Sequence, residues 1–158
     1  WMELSRVLFT SFPEVESERQ HCDALIMNFV RWPERFDVVV ASNLFGDLLT
    51  DLGGVLGGGL GMAPSTNTNP ERLFPSMFEP VHGSAPDIAG KGIANPLATI
   101  LSVAMLLRYS FGREAEAVRI EAAVERVLAR GLRTPDIAQP GEATVGTKAL
   151  SEAVLKEV

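Results

Sequence analysis

The chain has 158 residues, about one domain's length, and with 46% hydrophobic and 22% charged residues it predicts a globular core rather than disorder. Its 20 acidic and 14 basic residues give a net charge of −6, which argues against nucleic acid or anionic membrane as a partner, because both repel an acidic surface. The single cysteine, Cys22, excludes an intrachain disulfide and a CxxC metal site, and no run of about 18 apolar residues predicts a membrane span.

The first third of the chain is predicted to alternate helices and strands. The predicted elements are a helix over 1–12, a strand over 14–21, a helix over 24–30, a strand over 36–41 and a helix over 44–55. Asp23 is a predicted N-cap, and Ser42 and Asn43 are predicted caps of the helix that follows them. The run FDVVVA (36–41) is typical of a strand buried on both faces. Because Trp1 precedes Met2 in a helix-like stretch without a signal peptide, we expect a part of a longer, cytoplasmic protein.

The remaining two thirds are predicted to be richer in helix. The predicted elements are a loop over 65–75, a strand over 77–81, a loop over 82–95 with at most one helical turn, a buried helix over 96–111, an amphipathic helix over 114–130 closed by Gly131, a loop over 133–147 and a last helix from Thr147. The glycine-rich segment 53–61 follows a helix and contains neither GxGxxG nor GK[ST]. It therefore predicts close backbone packing or a hinge. The order of elements suggests the α/β class.

Two aspartates lie four residues apart in the sequence SNLFGDLLTD (42–51). On a helix, Asp47 and Asp51 share one face, where two carboxylates repel each other. Their apolar neighbours predict flanking buried surface, and no basic residue occurs between Phe36 and Arg72. Carboxylate oxygens suit Mg²⁺ or Mn²⁺, which would remove the repulsion. A metal site and a solvated acidic stripe are equally compatible with this spacing. Asp23 is a possible third carboxylate, although a plain N-cap explains it better.

The second candidate site is the polar loop EPVHGSAPDIAGKGIAN (79–95). Loops of this kind, between buried elements, commonly carry binding residues. His82 and Asp87 could form hydrogen bonds with an adenosine group, and Gly83 would let the backbone approach a ligand. Ser84 does not stand in GxSxG, so the loop does not predict a serine nucleophile. A structural turn remains the alternative to ligand binding.

The segments PERFDVVVASNLFGDLLTDLGG and FEPVHGSAPDIAGKGIANP resemble the β-decarboxylating dehydrogenases, which act on isopropylmalate, isocitrate, D-malate or tartrate. The resemblance covers essentially the whole chain. It implies the C-terminal portion of an isopropylmalate-dehydrogenase-like α/β fold. Residues 1–60 would be the second half of the small, dimer-forming domain with the metal-ligand helix. Residues 61–158 would be the C-terminal part of the large, NAD-binding domain.

The resemblance also implies a role for each candidate residue. Asp47 and Asp51 match metal ligands of one subunit of a homodimer. Asp23 matches a third ligand, given by the partner subunit, that also assists proton transfer near the substrate hydroxyl. Asp87, where NADP-using relatives have a different residue, favours NAD because a carboxylate repels a 2′-phosphate. The cofactor-binding residues implied are Asn43, Glu79, His82, Gly83, Ser84, Ala85, Asp87, Ile88 and Asn95.

The two segments RWPERFDVVVASNLFGDLLTDLG and NTNPERLFPSMFEPVHGSAPDI look closer to tartrate or D-malate dehydrogenases. We therefore expect NAD-dependent oxidative decarboxylation of a 2-hydroxy dicarboxylate, with 3-isopropylmalate dehydrogenase as the alternative. In this family the substrate-binding arginines and a catalytic Lys and Tyr come from the half upstream of Trp1. We therefore expect the chain by itself to be inactive. An inactive or regulatory NAD- and metal-binding fragment is the third possibility.

Overall fold

A computed structural model of the chain describes residue 7 and residues 9–158. Its helices and strands are α1 (Cys22–Arg31), α2 (Asn43–Leu56), β1 (Pro64–Asn67), β2 (Met77–Pro80), α3 (Leu97–Tyr109), α4 (Glu114–Ala129) and α5 (Thr147–Glu157), with 3₁₀ turns at Pro33–Arg35 and Leu60–Met62. The chain forms two compact units, Trp1–Gly46 and Asp47–Val158. The predicted division at residue 60 concerns the domains of a complete enzyme and stays a prediction.

In the described part of the first unit the helical segments are short and no side chain is buried. Residues 7 and 9–11 are helical, and the rest of the helix predicted over 1–12 lies outside the described residues. All side chains of α1 are at least partly exposed. The rings of Phe29 and Phe36 pack with centroids 4.8 Å apart. This contact fastens α1 to the segment that follows it.

The predictions of two strands in the first unit are both wrong. Residues 14–21 and 36–41 lie outside any strand, and Val38 and Val40 are 83% and 74% exposed instead of buried. A β-branched run favours extended backbone, but a strand exists only when a neighbouring strand accepts and donates its backbone hydrogen bonds. Among the described residues, the paired strands are β1 and β2 alone. In the part of the chain that the structure describes, this apolar run therefore has no neighbouring strand with which to pair.

The prediction that Asp23 is the N-cap of α1 is also wrong. His21 holds the N-cap position of α1, and Asp23 stands in the first turn, where its Oδ1 accepts a hydrogen bond from the Ala24 N–H at 2.8 Å. A carboxylate there still interacts favourably with the helix dipole. The side chain is exposed, so it is accessible to a ligand or to a second chain.

The second unit is built around α3. Strands β1 and β2 form an antiparallel hairpin in which Pro64 pairs with Pro80, and α3 packs against this hairpin and against α4, which also packs on α5. The hydrophobic core consists of Leu97, Ala123, Val124, Val127, Leu150 and Val154. The predicted helices over 96–111 and 114–130 are confirmed to within a few residues. Strand β1 lies partly in the predicted loop 65–75, since its polar sequence PSTN has no strand signature without its partner β2.

Charged side chains support the helix packing from outside. The guanidinium of Arg108 on α3 donates to both carboxylate oxygens of Glu121 on α4, at 2.6 and 2.8 Å. This hydrogen bonding lowers the pKa of the Glu121 carboxyl below its ordinary value.

Gly131, just beyond α4, has a φ of 83°, as predicted for the residue that closes this helix. In the described residues no helix is long and apolar enough to span a membrane. Helices and a small sheet together agree with the expected α/β class.

Candidate functional site

Helix α2 carries the first candidate site. It begins at Asn43 and includes Asp47 and Asp51, both exposed and one turn apart, as the sequence predicts. The predicted burial around them is wrong for this chain, because Leu44 and Leu48 are 68% and 55% exposed. Within α2 the buried residue is Leu49. The carboxylates therefore stand on an exposed and largely apolar helix surface, where a second protein surface could cover them.

Carboxylate oxygens are suitable ligands for a hard divalent cation, but two carboxylates supply fewer ligands than such a cation needs. Mg²⁺ prefers octahedral oxygen ligands, so two aspartates need further carboxylates, waters or substrate oxygens. In residue 7 and residues 9–158, no group of three or more His, Cys, Asp or Glu side chains is placed to hold a metal ion. The resemblance assigns the third ligand, Asp23, to a partner subunit, and one chain does not test this assignment. The metal triad therefore stays a prediction.

The second candidate site is the ligand loop, which we define as residues 82–95, between β2 and α3. Two successive turns shape it, with the Ile88 N–H bonded to the Ala85 carbonyl and the Lys91 N–H bonded to the Ile88 carbonyl, each at 3.1 Å. Ala85, Gly90 and Gly92 have φ values of 43°, 77° and 67°. Ala85 is thus a non-glycine residue in the left-handed region, which is uncommon. Local strain of this kind clusters at functional loops.

The polar groups at the start of the ligand loop, and on the strand that precedes it, are accessible. Glu79, on β2 opposite Ser65, is exposed, and so are Ser84 and Asp87. The His82 Nδ1–H donates to the Gly83 carbonyl at 2.9 Å, which leaves Nε2 as an acceptor in the neutral ring. A Cβ added at Gly83 would meet no described atom within 4 Å. There is therefore room beside this backbone for a ligand, as the predicted role of Gly83 requires.

Four further predicted cofactor residues occupy different surroundings. Ala85 and Ile88 belong to the turns of the ligand loop and are partly buried, whereas Asn43 is exposed at the start of α2, in the first unit. Asn95 is only 9% exposed. Its Oδ1 accepts from the Leu97 N–H at 3.0 Å, and its Nδ2 donates to Asp136 Oδ2 at 3.0 Å and to Met62 Sδ at 3.7 Å. A ligand contact by Asn95 would thus use its remaining oxygen lone pair or its backbone.

Sequence reasoning missed three residues that hold the end of the ligand loop. Gly61 lies in the glycine segment predicted to pack closely or to form a hinge, whereas Asp136 and Thr147 lie in a predicted loop and at a predicted helix start, and for none of the three does the sequence indicate the ligand loop as the partner. A Thr-Pro-Asp sequence (134–136) signals a turn, but no local pattern shows that such a turn reaches Asn95. These contacts join residues 34 to 55 positions apart, and only the fold brings them together.

Comparison with known proteins finds relatives over nearly the whole chain. A sequence profile of the family described as isocitrate/isopropylmalate dehydrogenase matches residues 1–154. A 3-isopropylmalate dehydrogenase of Desulfitobacterium hafniense is 54% identical over 155 residues, which are 98% of this chain and 43% of that protein. The decarboxylating D-malate dehydrogenase of Escherichia coli is 52% identical over 161 residues, which cover 99% of this chain and 43% of that protein.

A solved structure shows the same fold. The crystal structure of isocitrate dehydrogenase from Methylococcus capsulatus superposes with a TM-score of 0.90 and 43% identity, over 99% of this chain and 44% of that one. The expected fold, a portion of the isopropylmalate-dehydrogenase-like α/β architecture, is therefore confirmed. The chain spans about 43% of the length of the curated relatives that it matches.

Proposed function

Because the chain belongs to the isocitrate/isopropylmalate dehydrogenase family, we propose that it is the C-terminal part of an NAD-dependent enzyme. That enzyme oxidatively decarboxylates a 2-hydroxy dicarboxylic acid with a divalent metal ion. The observation that carries this proposal is the pair Asp47 and Asp51, exposed one turn apart on α2. Metal binding would explain why two carboxylates lie one turn apart on an apolar helix surface, because a bound cation offsets their mutual repulsion.

The aspartates have two tasks in this proposal. Asp47 and Asp51 hold Mg²⁺ or Mn²⁺ together with Asp23 of a second copy of the chain. When bound, the metal ion supplies Lewis-acid stabilisation of the negative charge that develops on the substrate oxygen. Asp23 also accepts, through water, the proton that the substrate hydroxyl loses. Its place in the first turn of α1 is exposed and thus accessible to a partner.

The ligand loop holds the adenine nucleotide. Asp87 accepts hydrogen bonds from the ribose hydroxyls, and its negative charge disfavours a 2′-phosphate, so NAD is preferred to NADP. The exposure of Asp87 and the open space beside Gly83 support this role. The other residues that we assign to cofactor binding are Asn43, Glu79, His82, Ser84, Ala85, Ile88 and Asn95.

The proposed substrate is tartrate or D-malate, on the sequence segments that resemble dehydrogenases of these acids. 3-Isopropylmalate is the second candidate. A 3-isopropylmalate dehydrogenase and a D-malate dehydrogenase are almost equally similar to this chain, at 54% and 52% identity. Discrimination between these acids depends on side chains upstream of Trp1, as the family resemblance implies.

The complete enzyme is proposed to be a cytoplasmic homodimer. Support comes from the surface of α2, where Leu44, Leu48 and Val55 are 68%, 55% and 64% exposed. Burial of apolar surface stabilises an interface by about 25 cal/mol per Å², and contiguous exposed apolar surface commonly marks an interaction site. A shared metal site would lie at the same surface.

NADH formation tests the proposal. The full-length protein that carries this chain is assayed with Mn²⁺ and D-malate, tartrate or 3-isopropylmalate, beside the 158-residue chain by itself. We expect turnover by the full-length protein and none by the chain. NAD binding without turnover on any of the three acids would favour the regulatory alternative. Turnover that persists after removal of all divalent metal would overturn the proposal.

Mn²⁺ binding tests the site directly. Asp47→Asn keeps the shape of the side chain but removes its charge, so we expect the affinity for Mn²⁺ to fall more than about tenfold. The matched control is Glu125→Gln, an exposed carboxylate on α4. Equal Mn²⁺ affinities in the two variants would refute the role of Asp47.

A further inference from the structure

The C-terminal half of the ligand loop is fastened to the first residues of α5. The Thr147 N–H donates to the Gly92 carbonyl at 2.8 Å, and the Thr147 hydroxyl donates to the Ala94 carbonyl at 2.5 Å. The approach is close, since a Cβ on Gly146 would lie 2.7 Å from the Gly92 oxygen. Two carbonyl groups of the loop, at Gly92 and Ala94, are therefore both hydrogen-bonded to one residue that is distant in sequence.

The last residue of the ligand loop has a second anchor. Asp136 accepts a hydrogen bond from Asn95 Nδ2, which orients the amide so that Asn95 Oδ1 accepts from the Leu97 N–H. Asn95 Cβ would lie 2.8 Å from a Cβ placed on Gly61, so the backbone of Gly61 packs directly against it. The end of the loop is thus held in place on several sides.

The loop depends on these anchors for its shape. Its internal backbone hydrogen bonds are the two turns at Ala85–Ile88 and Ile88–Lys91, whereas Gly92, Ala94 and the Asn95 side chain form hydrogen bonds with groups outside the loop. Gly90 and Gly92 have positive φ values of 77° and 67°, and glycine in such positions has many alternative conformations when nothing restrains it. Because the loop has few internal hydrogen bonds and two flexible glycines, its contacts with residues outside the loop select its conformation.

The Thr147 hydroxyl has no role in its own helix. Gly146 is the N-cap of α5, and within the described residues no side chain caps this helix end. The hydrogen bond from the Thr147 hydroxyl to the Ala94 carbonyl therefore restrains the ligand loop and does not cap the start of α5. This separation makes Thr147 distinguishable from a residue that only stabilises the fold.

We propose that Thr147 and Asp136 are positioning residues that fix the ligand loop in the conformation that binds the adenine nucleotide. The inference rests on the proposed function, because it requires the loop to be the NAD site. Neither residue needs to touch the ligand. Each acts through loop residues, Thr147 through Gly92 and Ala94 and Asp136 through Asn95. A loop that samples other conformations binds with an affinity reduced by the fraction that is competent.

The test uses Thr147→Val in the full-length protein. Valine keeps the shape and the backbone N–H but lacks the hydroxyl donor. We expect the dissociation constant of NAD, measured by calorimetry, to rise about fivefold, which corresponds to one net hydrogen bond lost. Hydrogen–deuterium exchange of the unliganded loop should become faster over residues 86–94. Thr147→Ser, which retains the hydroxyl, should restore both values.

The matched control is Ser151→Ala, which removes a hydroxyl of the same helix that donates to the Thr147 carbonyl at 2.9 Å. It should leave NAD affinity and loop exchange unchanged. Equal NAD affinity in Thr147→Val and Ser151→Ala would overturn the positioning role.

Asp136 is tested by a second pair of variants. Asp136→Ala removes the acceptor for Asn95 Nδ2 and should weaken NAD binding, whereas Asp136→Asn keeps an acceptor oxygen and should recover most of the affinity. Failure of the wild-type protein to bind NAD would overturn the proposed function instead. Loop exchange in Thr147→Val would then still decide whether Thr147 holds the loop, and unchanged exchange would refute that.

Discussion

Gly61→Ala perturbs the contact between the 3₁₀ turn Leu60–Met62 and the end of the ligand loop. The added Cβ would lie 2.5 Å from Asp136 Oδ2, 2.8 Å from Asn95 Cβ and 2.9 Å from Asn95 Nδ2. Asp136 is exposed and can rotate away. Asn95 Cβ is one bond from the backbone and cannot, so the backbone at one of the two residues must move. Overpacking of this kind costs about 1 to 3 kcal/mol.

The measurement is the free energy of unfolding from urea titration, without ligand. A loss of about 1 to 3 kcal/mol is expected for Gly61→Ala, together with weaker NAD binding because Asn95 is displaced. Gly83→Ala is the matched control, since its Cβ would meet no described atom within 4 Å. Its unfolding free energy should stay within about 0.5 kcal/mol of the wild type. If Gly61→Ala changes stability as little as the control does, the close packing inferred here is refuted.

Two further predictions concern the scaffold. Leu150→Ala removes a fully buried core side chain and should destabilise the protein by about 2 to 5 kcal/mol in urea titration, whereas Leu155→Ala, 75% exposed on the same helix, should change little. The hydrogen bonds from Arg108 hold the pKa of the Glu121 carboxyl below its ordinary 4.5. Stability from this pair is therefore full above about pH 4.5 and lost as the pH falls further, so Glu121→Gln should flatten the acid dependence of the urea midpoint. An unchanged acid dependence would contradict this assignment.

The sequence determined those features whose causes are local. Helices α3 and α4 were predicted to within a few residues, because apolar periodicity, Pro96 and Gly131 act on the chain within a turn or two. The positions of Asp47 and Asp51 on one helix face follow from helical geometry alone. The family could also be identified from the sequence, because two long motifs together resemble those of its members.

The tertiary structure decided what depends on distant partners. The run at 36–41 has every local preference of a buried strand, yet no described strand pairs with it and Val38 and Val40 are exposed. Strand β1 shows the opposite case, in which a polar sequence becomes a strand through β2. The anchors Asp136 and Thr147 contact a loop some 40 to 55 residues earlier. Hydrogen bonds across such separations leave no periodic signal in the sequence, so only the folded chain reveals how its ligand loop is held.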